Sequence, residues 1–129
     1  MGNVDYKSAG VDIDAGNKAV ERIKDGVKST FTSNVLTGLG SFGSLYDLKP
    51  IFENYENPVM VQSIDGVGTK TIIARKLGKY DTIGIDLLSA CANDIIVMGA
   101  RPLTFLNYIA NDKLKPEIIE EIVSGMVTA

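Results

Sequence analysis

Between Val61 and Lys70 an apolar run, Val61-Gln62-Ser63-Ile64, gives way to Asp65, Gly66, Gly68, Thr69 and Lys70. Together those residue types suit phosphate and a hard metal ion. Glycine lets backbone N–H groups approach one anion, and lysine brings a compact positive charge. Aspartate can hold Mg²⁺, which keeps several of its waters and reaches substrate phosphates through one or two carboxylates. The order departs from the P-loop, in which the last glycine directly precedes Lys and Ser/Thr. A tight turn with Asp65 capping the next helix accounts for the same residues, and this stretch alone does not separate the two readings.

A second set of candidates lies on the apolar segment from Asp81 to Gly99. At about 100° per residue, Asp86, Ser89, Asn93 and Asp94 share one polar sector roughly 140° wide. Burying an ionised carboxylate without a partner is costly, so Asp94, and with less reason Asp86, is a candidate ligand. The alternative is that these side chains meet solvent or a backbone N–H group. A third candidate is Gly38-Leu39-Gly40-Ser41-Phe42-Gly43, which has the GxGxxG spacing of dinucleotide sites. Its context fails, because that fingerprint follows a strand and opens a long helix, whereas Pro50 breaks the residues beyond it. It reads as a glycine-rich loop, either contacting phosphate or simply exposed.

These residues need elements to position them. Residues 1–16 read as an extended arm, with helix beginning near Asp14 and carrying Ala19, Val20, Ile23 and Val27 on one stripe. Lys28 to Ser33 is a loop, and a short strand is expected near Ser44 to Leu48. Pro58 to Ile64 is β-branched and bounded by Pro and Gly, hence a strand, which puts Asp65 to Lys70 at a strand end. Helices are expected over Lys70 to Lys79 and Asp81 to Gly99, the latter burying Leu88, Cys91, Ile95 and Met98 on one stripe and Ile83, Leu87 and Val97 on another. Leu103 to Ala110 is apolar on both faces, as in the middle of a sheet or barrel. Pro116 opens a last helix with Ile119, Ile122, Val123 and Met126 inward. The chain stops at Ala129 without a C-cap or closing strand, the pattern of a segment cut from a longer protein.

Composition narrows the chemistry. The 129 residues fit one domain, and their 45% hydrophobic and 22% charged fractions are ordinary for a globular chain. A net charge of −3 with scattered lysines argues against a nucleic-acid surface. No apolar run is long enough for a transmembrane helix, and the polar residues after Met1 are no signal peptide, so no membrane partner and a cytoplasmic location are expected. The lone Cys91 sits between alanines and reads as a buried thiol. The chain has no histidine, which removes Ser-His-Asp and Cys-His nucleophilic schemes and leaves hard, oxygen-ligated metals.

Taken together, Tyr6-Lys7-Ser8-Ala9-Gly10-Val11-Asp12-Ile13-Asp14-Ala15-Gly16-Asn17, the glycine loop, Ser63 to Lys70 and Asp81-Thr82-Ile83-Gly84-Ile85-Asp86-Leu87 resemble the N-terminal part of the phosphoribosylformylglycinamidine cyclo-ligase (AIR synthetase) family. The resemblance runs from Tyr6 to the end of the chain. It implies an ATP-dependent step of purine synthesis, in which formylglycinamidine ribonucleotide is phosphorylated on its formyl oxygen and closes to aminoimidazole ribonucleotide. It implies an α+β (mixed α/β) domain over residues 17–129, with strands forming a barrel across a homodimer, helices flanking it, and a C-terminal domain beyond this chain completing the site. By the same resemblance Gly38, Gly40 and Gly43 form the nucleotide-covering loop, with Ser41 where the family often has another glycine. Gly66, Gly68, Thr69 and Lys70 contact ATP phosphate, and Asp65 and Asp94 hold or support Mg²⁺. Lys70 and Asp94 act in catalysis, and Lys7, Asp12 and Asp14 lie on an arm over the substrate. Two other classes stay open: an oxidoreductase using NAD on Gly38 to Gly43, and a non-catalytic dimerisation or nucleotide-sensing module.

Overall fold

A computed structural model describes Tyr6 and residues 9–129, and the statements below concern those residues. Five helices follow in order: α1 (Ile13–Ser29), α2 (Lys49–Asn54), α3 (Lys70–Leu77), α4 (Asp81–Val97) and α5 (Pro116–Thr128). α5 is the centre of the packing, with α1 against one side and α4 against another, while α3 touches α4 more lightly.

Local sequence explains where each helix starts and stops. The Asp12 side chain accepts the Ala15 N–H at 3.0 Å and so caps α1, one of the donors that no backbone carbonyl can reach. α1 therefore begins at Ile13, a residue before the expected start. Pro50 lies in the first turn of α2, where its missing N–H is harmless. α2 corrects the expectation that Pro50 destroys helix between Ser44 and Tyr55. α4 ends in a Schellman motif: Gly99, at φ 73°, donates to the Ile96 carbonyl and Ala100 donates to that of Ile95.

Ala19, Ile119, Val123 and Met126 form the buried centre, with Ile23, Val27, Leu87, Leu88, Phe105 and Ile109 packed around it. Burying Ile119, Val123 and Met126 contributes on the order of 1.5–3 kcal/mol each. The α4–α5 approach is close enough that glycine is required on both helices. A Cβ on Gly84 would run into the Ile122 carbonyl, and one on Gly125 into that of Asp81.

The expected α+β architecture, with strands joined in a barrel across a homodimer, is not what the chain forms. Among the described residues the only β pairing is an isolated antiparallel bridge between Val35 and Tyr46. Ser44 to Leu48, Pro58 to Ile64 and Leu103 to Ala110 run as irregular segments. Their alternating or β-branched patterns report which side chains can be buried, whereas a strand also needs a neighbouring backbone for its N–H and C=O groups. Leu103 to Ala110 also differs from the expected two-sided burial. Phe105 and Ile109 pack on the core, while Leu106 and Tyr108 are 76% and 92% exposed. Similarly, Cys91 is buried and Ile95 half-buried on α4, but Val97 and Met98 project into solvent.

Candidate functional site

The segment from Asp65 to Thr69 is a strained turn rather than a helix cap. Asp65 Oδ1 accepts the Val67 N–H at 2.6 Å, closing a turn on its own backbone. Val67 then takes φ 55° and Gly68 φ 57°. For a β-branched side chain that left-handed conformation costs on the order of 1–3 kcal/mol, and such strain concentrates where a ligand is held. Thr69 occupies the N-cap position of α3 without a capping side-chain hydrogen bond. The first N–H groups of α3, the positive end of its dipole and the turn above it thus face one region with no acidic residue in the helix's first turn.

α4 clasps this segment at two points. Ser63 Oγ donates to Asp94 Oδ2 at 2.9 Å, and Lys70 Nζ pairs with Asp86 Oδ2 at 3.1 Å. Asp86 and Asp94 are eight residues apart, about 12 Å along a helix axis. One polar sector of α4 therefore grips both ends of the Ser63–Lys70 stretch. Neither grip contributes much stability: the Lys70 and Asp86 side chains are 59% and 42% exposed, and exposed pairs stabilise by roughly 0.2–1 kcal/mol. What they determine is orientation.

Ser63 and Asp94 also line an open cleft of about 350 Å³ with Val61, Gln62, Val97 and Met98. A second cleft, of about 280 Å³ between α1, α5 and residues 107–114, has no charged side chain on its wall. Neither cleft carries a cation on its wall, and the positive charge of this region is Lys70 at the start of α3, so the candidate site is the Ser63–Lys70 side of α4.

Asp65 and Asp94 fit a hard cation by their chemistry. Among the described residues no group of three or more Asp, Glu, Cys or His side chains converges as an all-protein cage. Mg²⁺ does not need one, since it takes one or two carboxylates and completes its shell with water and phosphate oxygens.

The remaining expected residues are not drawn in. Gly38, Gly40 and Gly43 lie on a loop closed at its base by Leu36 N–H to Leu45 O and Asp47 N–H to Asn34 O, both 2.8 Å. Among the described residues no hydrogen bond or ion pair joins that loop to Ser63–Lys70 or α4. A Cβ on Gly38, Gly43 or Gly66 would meet open space. Asp12 and Asp14 belong to the start of α1, as its cap and in its first turn. Lys7 lies outside the described residues. Ser63 was missed, because its partner is 31 positions away and no local pattern announces the pairing. Its place two residues before Asp65 was the one available signal.

Comparison with known proteins covers the same segment. Residues 50–129 match the family model described as AIR synthase related protein, N-terminal domain. A phosphoribosylformylglycinamidine cyclo-ligase of Thermoanaerobacter pseudethanolicus is 54% identical over 123 residues, which are 95% of this chain and 35% of that protein. Proteins of the same name from Brevibacillus brevis and Carboxydothermus hydrogenoformans are 55% and 53% identical, over 94% and 98% of this chain and 34% and 36% of their own lengths. The chain thus spans about a third of these curated relatives.

Proposed function

The chain belongs to the AIR synthase related protein N-terminal domain family, and from that premise we propose that it is the N-terminal, nucleotide-handling part of a phosphoribosylformylglycinamidine cyclo-ligase. The observation that carries this reading is the double grip of α4 on the Ser63–Lys70 segment, which gathers a cation, two carboxylates and a strained N–H-rich turn on one exposed surface.

In the proposed reaction the formyl oxygen of formylglycinamidine ribonucleotide attacks the γ-phosphorus of ATP and ADP leaves. A nitrogen of the same molecule then attacks the activated carbon and phosphate leaves, closing the imidazole ring of aminoimidazole ribonucleotide. Phosphoryl transfer asks a protein mainly for positioning and charge neutralisation, so the lack of histidine is no obstacle. Gly66, Gly68 and Thr69 present backbone N–H groups to the transferring phosphate, and Lys70 adds a positive charge beside them. Asp65 and Asp94 hold Mg²⁺, which when bound supplies further neutralisation of the phosphate oxygens. Gly38, Gly40 and Gly43 cover the nucleotide, and the residues before α1, Lys7 among them, lie toward the substrate, with Asp12 and Asp14 at the helix start behind them. The domain over residues 17–129 works with a C-terminal part in a homodimer in the cytoplasm. Large exposed apolar side chains such as Val59, Met60, Ile64 and Tyr108 support burial against further protein. No helix among the described residues is long and apolar enough to cross a membrane.

The test is a nucleotide titration with and without Mg²⁺ on a protein of the relatives' full length, followed by turnover of Lys70→Ala and Asp94→Asn. Mg²⁺-dependent ATP binding and losses above about tenfold, or 1.4 kcal/mol, are expected. NAD binding independent of Mg²⁺ would point to an oxidoreductase, and losses below tenfold in folded variants would remove those two residues from the mechanism.

A further inference from the structure

Asp86 and Asp94 share one face of α4, yet their partners differ in kind. Asp94 accepts from a neutral hydroxyl, whereas Asp86 Oδ2 lies 3.1 Å from the Lys70 ammonium. Lys70 occupies Asp86 Oδ2, so a metal bound there would share that carboxylate with a second cation, whereas Asp94 meets only a neutral hydroxyl. The same contact gives Asp86 a different task. Lys70 is the first residue of α3, and helical side chains lean toward the N-terminus of their helix, here toward the Gly66–Thr69 turn. Its stem has several rotatable bonds and is 59% exposed, so the helix backbone alone does not settle where the charge sits. Nor does packing, since α3 contacts α4 lightly and Ala74, a turn further on, is the buried residue of α3. Asp86 is the group that selects one direction for the ammonium.

We propose that Asp86 is a positioning residue, which holds the Lys70 ammonium beside the turn at the start of α3 and does not itself ligate the metal. This rests on the reading of Lys70 as a phosphate-contacting residue. The contribution is to turnover rather than to attraction of the nucleotide. Asp86 places a negative charge next to Lys70 and so weakens the pull of that site on any anion. Removing the charge therefore leaves ATP capture intact or improves it, but leaves Lys70 spread over many rotamers when the phosphoryl group is transferred, where a displacement of an ångström is costly.

The experiment compares Asp86→Asn, Asp86→Glu, Lys70→Ala and the Asp86→Asn/Lys70→Ala double variant in the protein of full length, measuring kcat and the KM for ATP with each variant's melting midpoint. Asp86→Asn is expected to lower kcat about tenfold with KM for ATP unchanged within twofold or lowered. Asp86→Glu, which keeps the charge, is expected to recover most of kcat. In the Lys70→Ala background the Asp86→Asn change should alter kcat less than about twofold, because the group it positions is gone. Should Asp86→Asn fail to fold, Asp86→Ser takes its place, with the same loss of kcat and the same unchanged or lowered KM for ATP expected of it. A kcat for Asp86→Asn within twofold of the parent, alongside a Lys70→Ala loss above tenfold, would overturn the positioning role while leaving the function in place. A loss in the double variant equal to the product of the single losses would overturn it too. If Lys70→Ala itself retained activity, the phosphate assignment of Lys70 would fall and the role of Asp86 with it.

Discussion

Ser63 donates its hydroxyl hydrogen to Asp94 Oδ2 at 2.9 Å, tying the residue two positions before Asp65 to the C-terminal half of α4. The bond holds one of the two proposed metal carboxylates in a single orientation while leaving its second oxygen available. Outer partners of ligating carboxylates typically change metal affinity by 10–100-fold when removed. Ser63→Ala in the protein of full length is therefore expected to raise the Mg²⁺ concentration giving half-maximal turnover by about tenfold, with the loss of rate largely recovered at high Mg²⁺. A Mg²⁺ dependence identical to that of the parent would show that the bond does not serve the metal.

Gly43 has room for a methyl group and no left-handed backbone, so the fold itself does not require glycine there. Gly43→Ala should leave stability unchanged or raise it by about 0.4–1 kcal/mol through the unfolded chain. If the loop closes over a nucleotide, the same substitution weakens ATP binding. A paired measurement of urea midpoint and ATP affinity checks this, and an unaltered affinity would remove Gly43 from the nucleotide site.

At Gly125 the demand is the reverse. An added Cβ would collide with the backbone carbonyl of Asp81 on α4, and backbone cannot swing aside as a side chain can. Gly125→Ala is expected to destabilise by about 1–3 kcal/mol, as overpacking does, and more if α4 is displaced as a unit. Because α4 carries both Asp86 and Asp94, turnover should fall with stability. Chemical denaturation of the variant against the parent is the measurement, and a change under about 0.5 kcal/mol would mean that the helices part easily.

The helical skeleton was largely open to reading from the chain. The stripe of Ala19, Ile23 and Val27, the proline ahead of Ile119 and the glycine after Met98 are local devices, acting within a turn or two of themselves, and α1, α4 and α5 follow them. α2 was hidden because Pro50 reads as a breaker unless the helix happens to start beside it. The segments at Pro58–Ile64 and Leu103–Ala110 misled for a different reason. Their apolar patterns suit a strand, but a strand is a relationship with a second backbone, and among the described residues none is paired with them.

The chemical types at the site, Asp65, Gly66, Gly68, Thr69, Lys70 and Asp94, were visible in sequence, since glycine, carboxylate and lysine carry their chemistry wherever they stand. Tertiary structure alone decided who holds whom. Asp86 and Asp94 look equivalent on a helical projection, 80° apart on one polar face by the helical period. Only the path of the chain from Ser63 to α4 gives the first an ammonium and the second a hydroxyl. Side-chain periodicity specifies a face, whereas a contact between residues 16 or 31 positions apart depends on how whole elements pack.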